Sequence, residues 1–278
     1  MTIGILTAGG PCPGVKEFVH YVGKYEKSIG NRVVGFKDGF NGINKNQRVN
    51  LSIHQMNQSC DKLDIDLAVN NLKDIDRLYC LCGNVSMDDA CTLALDDRVD
   101  TNIIGIAKSI YNDVQGLDCL GFRSATGELT KLIDTLYYEA IMSRSIYFLV
   151  VPGIHSDDLV KHTGYARQSK ISTIITPHNN NSITLHILKS SYEVYGHGVV
   201  LVSENCDYTE IINEMGDIPT TIINPGDRIR DVDACLYDGI LATSMARESF
   251  LYGLENKNFI KGASSIIKFE DYIGICLD

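Results

Sequence analysis

Short apolar runs rich in Val, Ile and Leu recur along the chain and alternate with longer stretches whose apolar positions fall at helical spacing. The runs predict strands at Ile3–Leu6, Val33–Phe36, Leu78–Leu81, Asn102–Ile106, Ile146–Val151, Ile171–Ile175, Val199–Val202, Thr220–Ile223 and Ser264–Ile267. Helices are predicted between them at Val15–Tyr25, Met87–Leu95, Thr126–Met142, Asp157–Gln168, Ser182–Glu193 and Leu236–Leu254. The first opens after a glycine-rich turn and the second after a Gly-Asn turn. Such alternation of strand and helix argues an α/β protein with largely parallel sheets. The helical pattern breaks between Ser143 and Ser145, where a second series of strands begins. That break predicts one domain of residues 1–142 and a second of residues 143–230. The helix from Leu236 carries the chain back, so residues 236–278 are expected to complete the first domain.

Length and composition narrow the class. A chain of 278 residues suits one large or two medium domains of roughly 100–150 residues. Hydrophobic residues make up 44%, enough for proper cores. The net charge of −10 leaves no footprint for nucleic acid or an acidic membrane, so an anionic ligand would need locally placed Lys, Arg or backbone N–H groups. Nine cysteines (Cys12, Cys60, Cys80, Cys82, Cys91, Cys119, Cys206, Cys235 and Cys276) are scattered singly and odd in number, which reads as reduced buried thiols rather than a zinc site or disulfide framework. The apolar start is short and lacks a basic leader, and no window reaches membrane-spanning length. A soluble cytoplasmic protein is expected.

The candidate chemistry lies in loops that follow predicted strands, where open α/β sheets bind ligands. Thr7-Ala-Gly-Gly-Pro-Cys-Pro-Gly14 leaves a strand and opens a helix. Its glycines let backbone approach an anion, and N–H groups at a helix start hold phosphate. Pro11 and Pro13 remove two of those donors, so a tight turn without ligand is the competing reading. Ile104-Gly-Ile-Ala-Lys-Ser-Ile-Tyr-Asn-Asp113 runs from a strand into a polar loop.

Taken together, these loops resemble the phosphofructokinase family from Ile3 to the last helix. Thr7 to Gly14 is similar to T-S-G-G-D-C-P-G, and Gly35-Phe-Lys-Asp-Gly-Phe-Asn-Gly42 to G-F-x-x-G-Y-x-G. Leu81-Cys-Gly-Asn-Val-Ser86 stands at I-G-G-D-G-S, Ile104 to Asp113 at V-G-I-P-K-T-I-D-N-D, and Gly121-Phe-Arg-Ser-Ala125 at G-F-D-T-A. Val150-Val-Pro-Gly-Ile154 stands at V-M-G-R and Thr176-Pro-His178 at V-P-E. Pro225-Gly-Asp-Arg-Ile-Arg230 is similar to P-S-Y-I-I-R of the pyrophosphate-related branch, to which Lys108 also points. The resemblance implies two Rossmann-like three-layer α/β domains with mainly parallel sheets and a cleft between them.

It also implies a chemistry that this chain has thinned. Phosphoryl transfer needs a carboxylate for Mg²⁺, a base for the attacking hydroxyl and cations on the transferred group. The Mg²⁺-associated Asp corresponds to the neutral Asn84, and the base to Tyr111, whose phenol in its ordinary range of about 10 is protonated at neutral pH. The Asp of the first loop is Pro11, the Arg of M-G-R is Ile154, and the sugar-binding Glu is His178. Gly9, Gly10, Gly14, Lys108, Asn112, Asp113 and Arg230 are retained, and Arg144 lies near a cationic sugar-phosphate position. Lys108 and Arg230 read equally as structural cations, and Asn112 and Asp113 as residues that cap their own loop. His155, His162, His178, His186 and His197 show no metal spacing.

The expected function is a phosphofructokinase-like pseudoenzyme that acts through ligand or protein binding and oligomer assembly, without a cofactor. Partners would be copies of itself, a homologue in a mixed oligomer, or a phosphorylated small molecule. The alternatives are a divergent active 6-phosphofructokinase using pyrophosphate or ATP with Mg²⁺, and a purely structural protein reusing the fold.

Overall fold

The computed structural model describes residues 1–51, 56, 62–178 and 181–272. By its contacts the chain forms two units, Met1–Arg123 with the chain from Asp233 onward, and Ser124–Val232. Cys60 and Cys276 lie outside the described residues.

The first unit is built on a seven-stranded sheet in the order β11-β10-β5-β4-β1-β2-β3. Its strands are β1 (Thr2–Thr7), β2 (Arg32–Phe36), β3 (Arg48–Asn50), β4 (Arg77–Cys82), β5 (Asn102–Ala107), β10 (Phe259–Lys261) and β11 (Ile266–Ile267). All pair in parallel except the edge strands β3 and β11. Side chains alternate between the two faces. Ile3, Ile5, Tyr79, Leu81, Ile104 and Ile106 pack with α1 (Val15–Ser28) and α9 (Leu236–Gly253). Leu6, Leu78, Cys80, Cys82 and Ile103 pack with α2 (Phe40–Asn44), α3 (Ile65–Asn71) and α4 (Asn84–Leu95). The central strands are apolar at nearly every position because helices cover both faces.

The second unit holds a four-stranded, wholly parallel sheet in the order β7-β8-β6-β9: β6 (Ile146–Val151), β7 (Thr173–Ile175), β8 (Gly198–Ser203) and β9 (Thr220–Ile223). With it belong α5 (Phe122–Ser143, from Ser124 on), α6 (Asp158–Ala166), α7 (Asn181–Tyr195) and α8 (Thr209–Glu214). Ile146, Phe148, Ile175, Val200 and Val202 form a core with Leu188 of α7 and Ile211 of α8.

The predicted strands are all present, and the fold is α/β with mainly parallel sheets as expected. The division of the chain falls at the start of α5, whereas the sequence pattern places it at the end. Asp134 on α5 pairs with Arg167 (2.8 Å) and Lys170 (2.8 Å), both in the second unit. The sequence pattern also missed β3, β10, α2, α3 and α8, and the predicted strand Ser264–Ile267 shrinks to the two residues of β11.

At the edge of the first sheet where its parallel strands begin lies a buried polar network. Arg77 and Glu26 are both buried and pair at 2.8 Å, and the Tyr79 hydroxyl donates to the same carboxylate at 2.6 Å. Arg77 also donates to Asn102 on β5 (3.2 Å) and to the Gly253 carbonyl that ends α9. One guanidinium thus joins α1, β4, β5 and α9. Burial and the Glu26 charge push the Tyr79 phenol well above its usual range, so it stays a donor. Breaking a buried pair leaves an uncompensated charge, so Glu26→Gln is expected to cost about 3–5 kcal/mol in urea unfolding. A loss below about 1 kcal/mol, the scale of a surface pair, would contradict this role.

Candidate functional site

Parallel register places three loop starts side by side. Thr7 lies opposite Leu81, and Cys82 opposite Ala107. The Ala8 amide donates to the Leu81 carbonyl (2.9 Å) and the Lys108 amide to the Cys82 carbonyl (3.0 Å). The loops that open with Gly9, Gly83 and Lys108 are therefore neighbours.

Lys108 is only 2% exposed, and its ammonium donates to the Gly10 carbonyl at 2.8 Å. Its charge is felt across the strand ends. Burial pushes the Cys82 thiol up to about 12, although the Lys108 ammonium pulls the other way. Gly9 adopts the left-handed region (φ +82°), and a Cβ there would stand 3.5 Å from Lys108 Nζ, 3.6 Å from Ser86 Oγ and 3.8 Å from the Gly83 nitrogen. An ammonium, a hydroxyl and a backbone amide thus surround the point that glycine leaves bare.

Gly14 is needed for a different reason. It precedes α1 at φ +89°, and a Cβ would press to 2.7 Å from Leu120. The Cys12 thiol donates to the Leu120 carbonyl at 3.1 Å, which fixes the same turn, and Pro11 is exposed. Gly14 therefore serves close packing.

Asn84 is the first residue of α4 and 5% exposed; its Nδ2 and Oδ1 are both enclosed without a hydrogen-bond partner. Enclosing an unpaired amide costs about 1–3 kcal/mol. It does so where the first-turn N–H groups of a helix favour negative charge.

The stretch after β5 is folded by its own side chains. The Ser109 hydroxyl donates to the Asp113 carboxylate and accepts the Tyr111 amide (3.1 Å). Asn112, in the left-handed region at φ 57°, accepts the Cys119 amide at 2.9 Å. Asn112 and Asp113 thus shape the loop, and Tyr111 is half-buried beside them.

In the second unit, Ile154 follows β6 and is 63% exposed. Its loop is held by acids and an amide: the Gly153 N–H donates to Glu204 (2.9 Å), Asn205 to the Ile154 carbonyl (3.3 Å), and Ser203 to Asp157 (2.8 Å). His178 lies exposed just past β7, and Arg230 ends the helical turn Gly226–Arg230 after β9. These three share the strand-exit edge of that sheet. Arg144 does not. It precedes β6, at the opposite edge, with φ 51° and its carbonyl accepting the Tyr192 hydroxyl at 2.9 Å.

Sequence reasoning passed over Ser86, Ser109 and Glu204. The two serines lay within the motif stretches, one next to Asn84's turn and one next to Lys108. Glu204 meets Gly153 from 51 residues away and carries no local signal. Seven cysteines among the described residues are thiols, and no cluster of three or more His, Cys, Asp or Glu suited to a metal occurs among those residues.

A phosphofructokinase family model matches residues 2–251. The chain belongs to the phosphofructokinase family. It is 26% identical to an ATP-dependent 6-phosphofructokinase of Sulfurihydrogenibium over 93% of this chain and 88% of that one. A second such relative, from Corynebacterium efficiens, is 27% identical over 73% of this chain, which spans 64% of it. Among solved structures, a pyrophosphate-dependent phosphofructokinase of Nitrosospira multiformis aligns at TM-score 0.83 and 15% identity, over 98% of this chain and 84% of that one. Saccharomyces cerevisiae phosphofructokinase aligns at TM-score 0.80 and 19% identity, over 96% of this chain and 44% of that one.

Asn112 offers a direct test of the loop account. Asn112→Ala should destabilise by about 1–3 kcal/mol, because the Cys119 amide loses its acceptor and Ala tolerates φ 57° poorly. Asn112→Gly should recover only the backbone share. Equal losses for the two variants in chemical unfolding would contradict it.

Proposed function

We propose that this phosphofructokinase-family protein binds anionic ligands and assembles with copies of itself or a homologue, but does not transfer a phosphoryl group. The carrying observation is the neutral set of side chains at the reacting positions. Asn84, enclosed and unbonded, occupies the position of the family's magnesium carboxylate, and the Tyr111 phenol that of its base. Ile154 occupies the cation's position, on a loop whose bonded charges are Glu204 and Asp157. Each such group is commonly worth about 10²–10⁴ in rate, so their joint loss removes the mechanism.

The Mg²⁺ that the family implies does not fit these residues. A hard dication wants carboxylate oxygens. Asn84 supplies a neutral amide, Asp113 is engaged by the Ser109 hydroxyl, and the buried Lys108 ammonium repels a cation. Arg144, before β6 at the opposite sheet edge from His178 and Arg230, does not join them in a sugar-phosphate site within its own unit.

The second reading is a divergent active phosphotransferase. The names of its relatives favour it, and Asp113 is the retained acid. Tyr111 would then orient the substrate hydroxyl, and Asn84 and Asp113 would share the metal. Steady-state transfer to fructose 6-phosphate from ATP and from pyrophosphate, with Mg²⁺, separates the two. Wild type is expected to show no turnover above background, and the Tyr111→Asp, Asn84→Asp double variant to rise above it. Clear wild-type turnover would overturn the proposal.

A further inference from the structure

At the opposite end of the first unit's sheet from these loops, where β4 and β5 begin, lies a cavity of about 990 Å³. We propose that it binds an aliphatic polyamine, a ligand with no part in phosphoryl transfer. Buried Leu72, Ile75 and Phe259 form its apolar floor. One wall is the C-terminal end of α9, through Tyr252 and the turn that follows, and another is the chain of residues 98–102 after α4. The backing is braced by the protein's own bonds. Asn102 accepts from Arg77 Nε (3.2 Å), while Asn258 accepts the Ile103 amide (2.8 Å) and donates to the Ala94 carbonyl (3.0 Å). Small-molecule sites run to roughly 300–1,000 Å³, so the volume suits a ligand of that kind.

The charges around this cavity select the ligand. Of its lysines and arginines, Arg98 is held by Asp66 (2.7 Å) and Asp96 (2.8 Å), Lys257 by Glu255 (2.8 Å) and Lys73 by Asn70 (3.0 Å). The fourth, Lys268, is exposed, with its charge screened by water. The carboxylates Asp100 and Glu270 are exposed with no hydrogen bond or ion pair among the described residues, and Asp76 accepts the Thr2 amide at 2.6 Å. A helix C-terminus carries partial negative charge, and the half-exposed Tyr252 ring gives an ammonium a face to lie against. These groups favour a cation. The three carboxylates do not close on one point, since no cluster of three or more His, Cys, Asp or Glu suited to a metal occurs among the described residues. The positive charges they fit are therefore spread along a chain, and the apolar floor takes the methylenes between them. A net charge of −10 attracts any cation diffusely, so selectivity between cations is the signature of the site.

Isothermal titration of the full chain at physiological salt tests this with spermidine, putrescine, butylamine and magnesium. Spermidine is expected to fill one saturable site, with affinity falling through the diamine to the monoamine and magnesium binding more weakly than spermidine. Asp100→Asn with Glu270→Gln should weaken spermidine about tenfold, the joint effect of two exposed ion pairs. Both carboxylates are exposed and unbonded, so this variant is expected to keep the wild-type melting temperature. Glu214→Gln with Asp217→Asn, exposed acids of the second unit, makes the same charge change elsewhere and should leave the affinity unchanged. No saturable spermidine binding overturns the inference, as do magnesium binding as tightly and equal weakening in the two variants. A lysine-rich peptide that binds where spermidine does not would overturn it too, and mark a protein docking site instead. If the Asp100→Asn, Glu270→Gln variant fails to fold, the order of affinities in wild type still decides.

Discussion

One buried ammonium organises the candidate site. Lys108 leaves β5 with its amide on the Cys82 carbonyl, so it is locked to the end of β4. Its side chain then crosses to the Gly10 carbonyl in the loop after β1. The chain next to it pairs back through a bridge between Lys108 and Leu120, the residue against which Gly14 and Cys12 pack. Three loops that differ by tens of residues in sequence are thereby held at one place by one side chain. Burying such a charge is costly, and the bond to the Gly10 carbonyl offsets part of that cost.

That constraint explains how the site keeps its frame while its reacting groups change. None of the hydrogen bonds that shape the loops passes through Asn84's side chain. Ser109, Asn112 and Asp113 fold the stretch after β5 among themselves and onto Cys119. At the far edge of the same sheet, the Glu26–Arg77 pair ties α1 and α9 to β4 and β5, so the loops project from a braced scaffold. A substitution at Asn84, whose amide atoms have no partner, therefore breaks none of the scaffold's side-chain bonds.

The fold was largely legible in the sequence because its central strands are apolar on both faces and helices α1 and α4 open after glycine turns. The edge strands were not: β3 has three residues and β11 two, too short for a periodic signal. The pairing of Asp134 on α5 with Arg167 and Lys170 joins residues more than thirty apart and leaves no local signal. At the site, the roles of the positions held by Asn84, Tyr111 and Ile154 were only implied by resemblance. That Asn84 is enclosed without a partner, that Asn112 and Asp113 shape their own loop, and that Arg144 lies at the opposite edge from His178 all needed coordinates. The sequence weighed Lys108 between ligand and structural roles, and its ammonium bonds the Gly10 carbonyl.

Backbone hydrogen exchange of wild type against Lys108→Met and against the Tyr111→Asp, Asn84→Asp variant tests most directly whether this frame is independent of the chemistry. Removing the ammonium is predicted to speed exchange together in the loops 8–14, 83–86 and 109–121, while the double variant leaves all three near wild type. Unchanged protection in Lys108→Met, or loss of protection across the three loops in the double variant, would contradict the account.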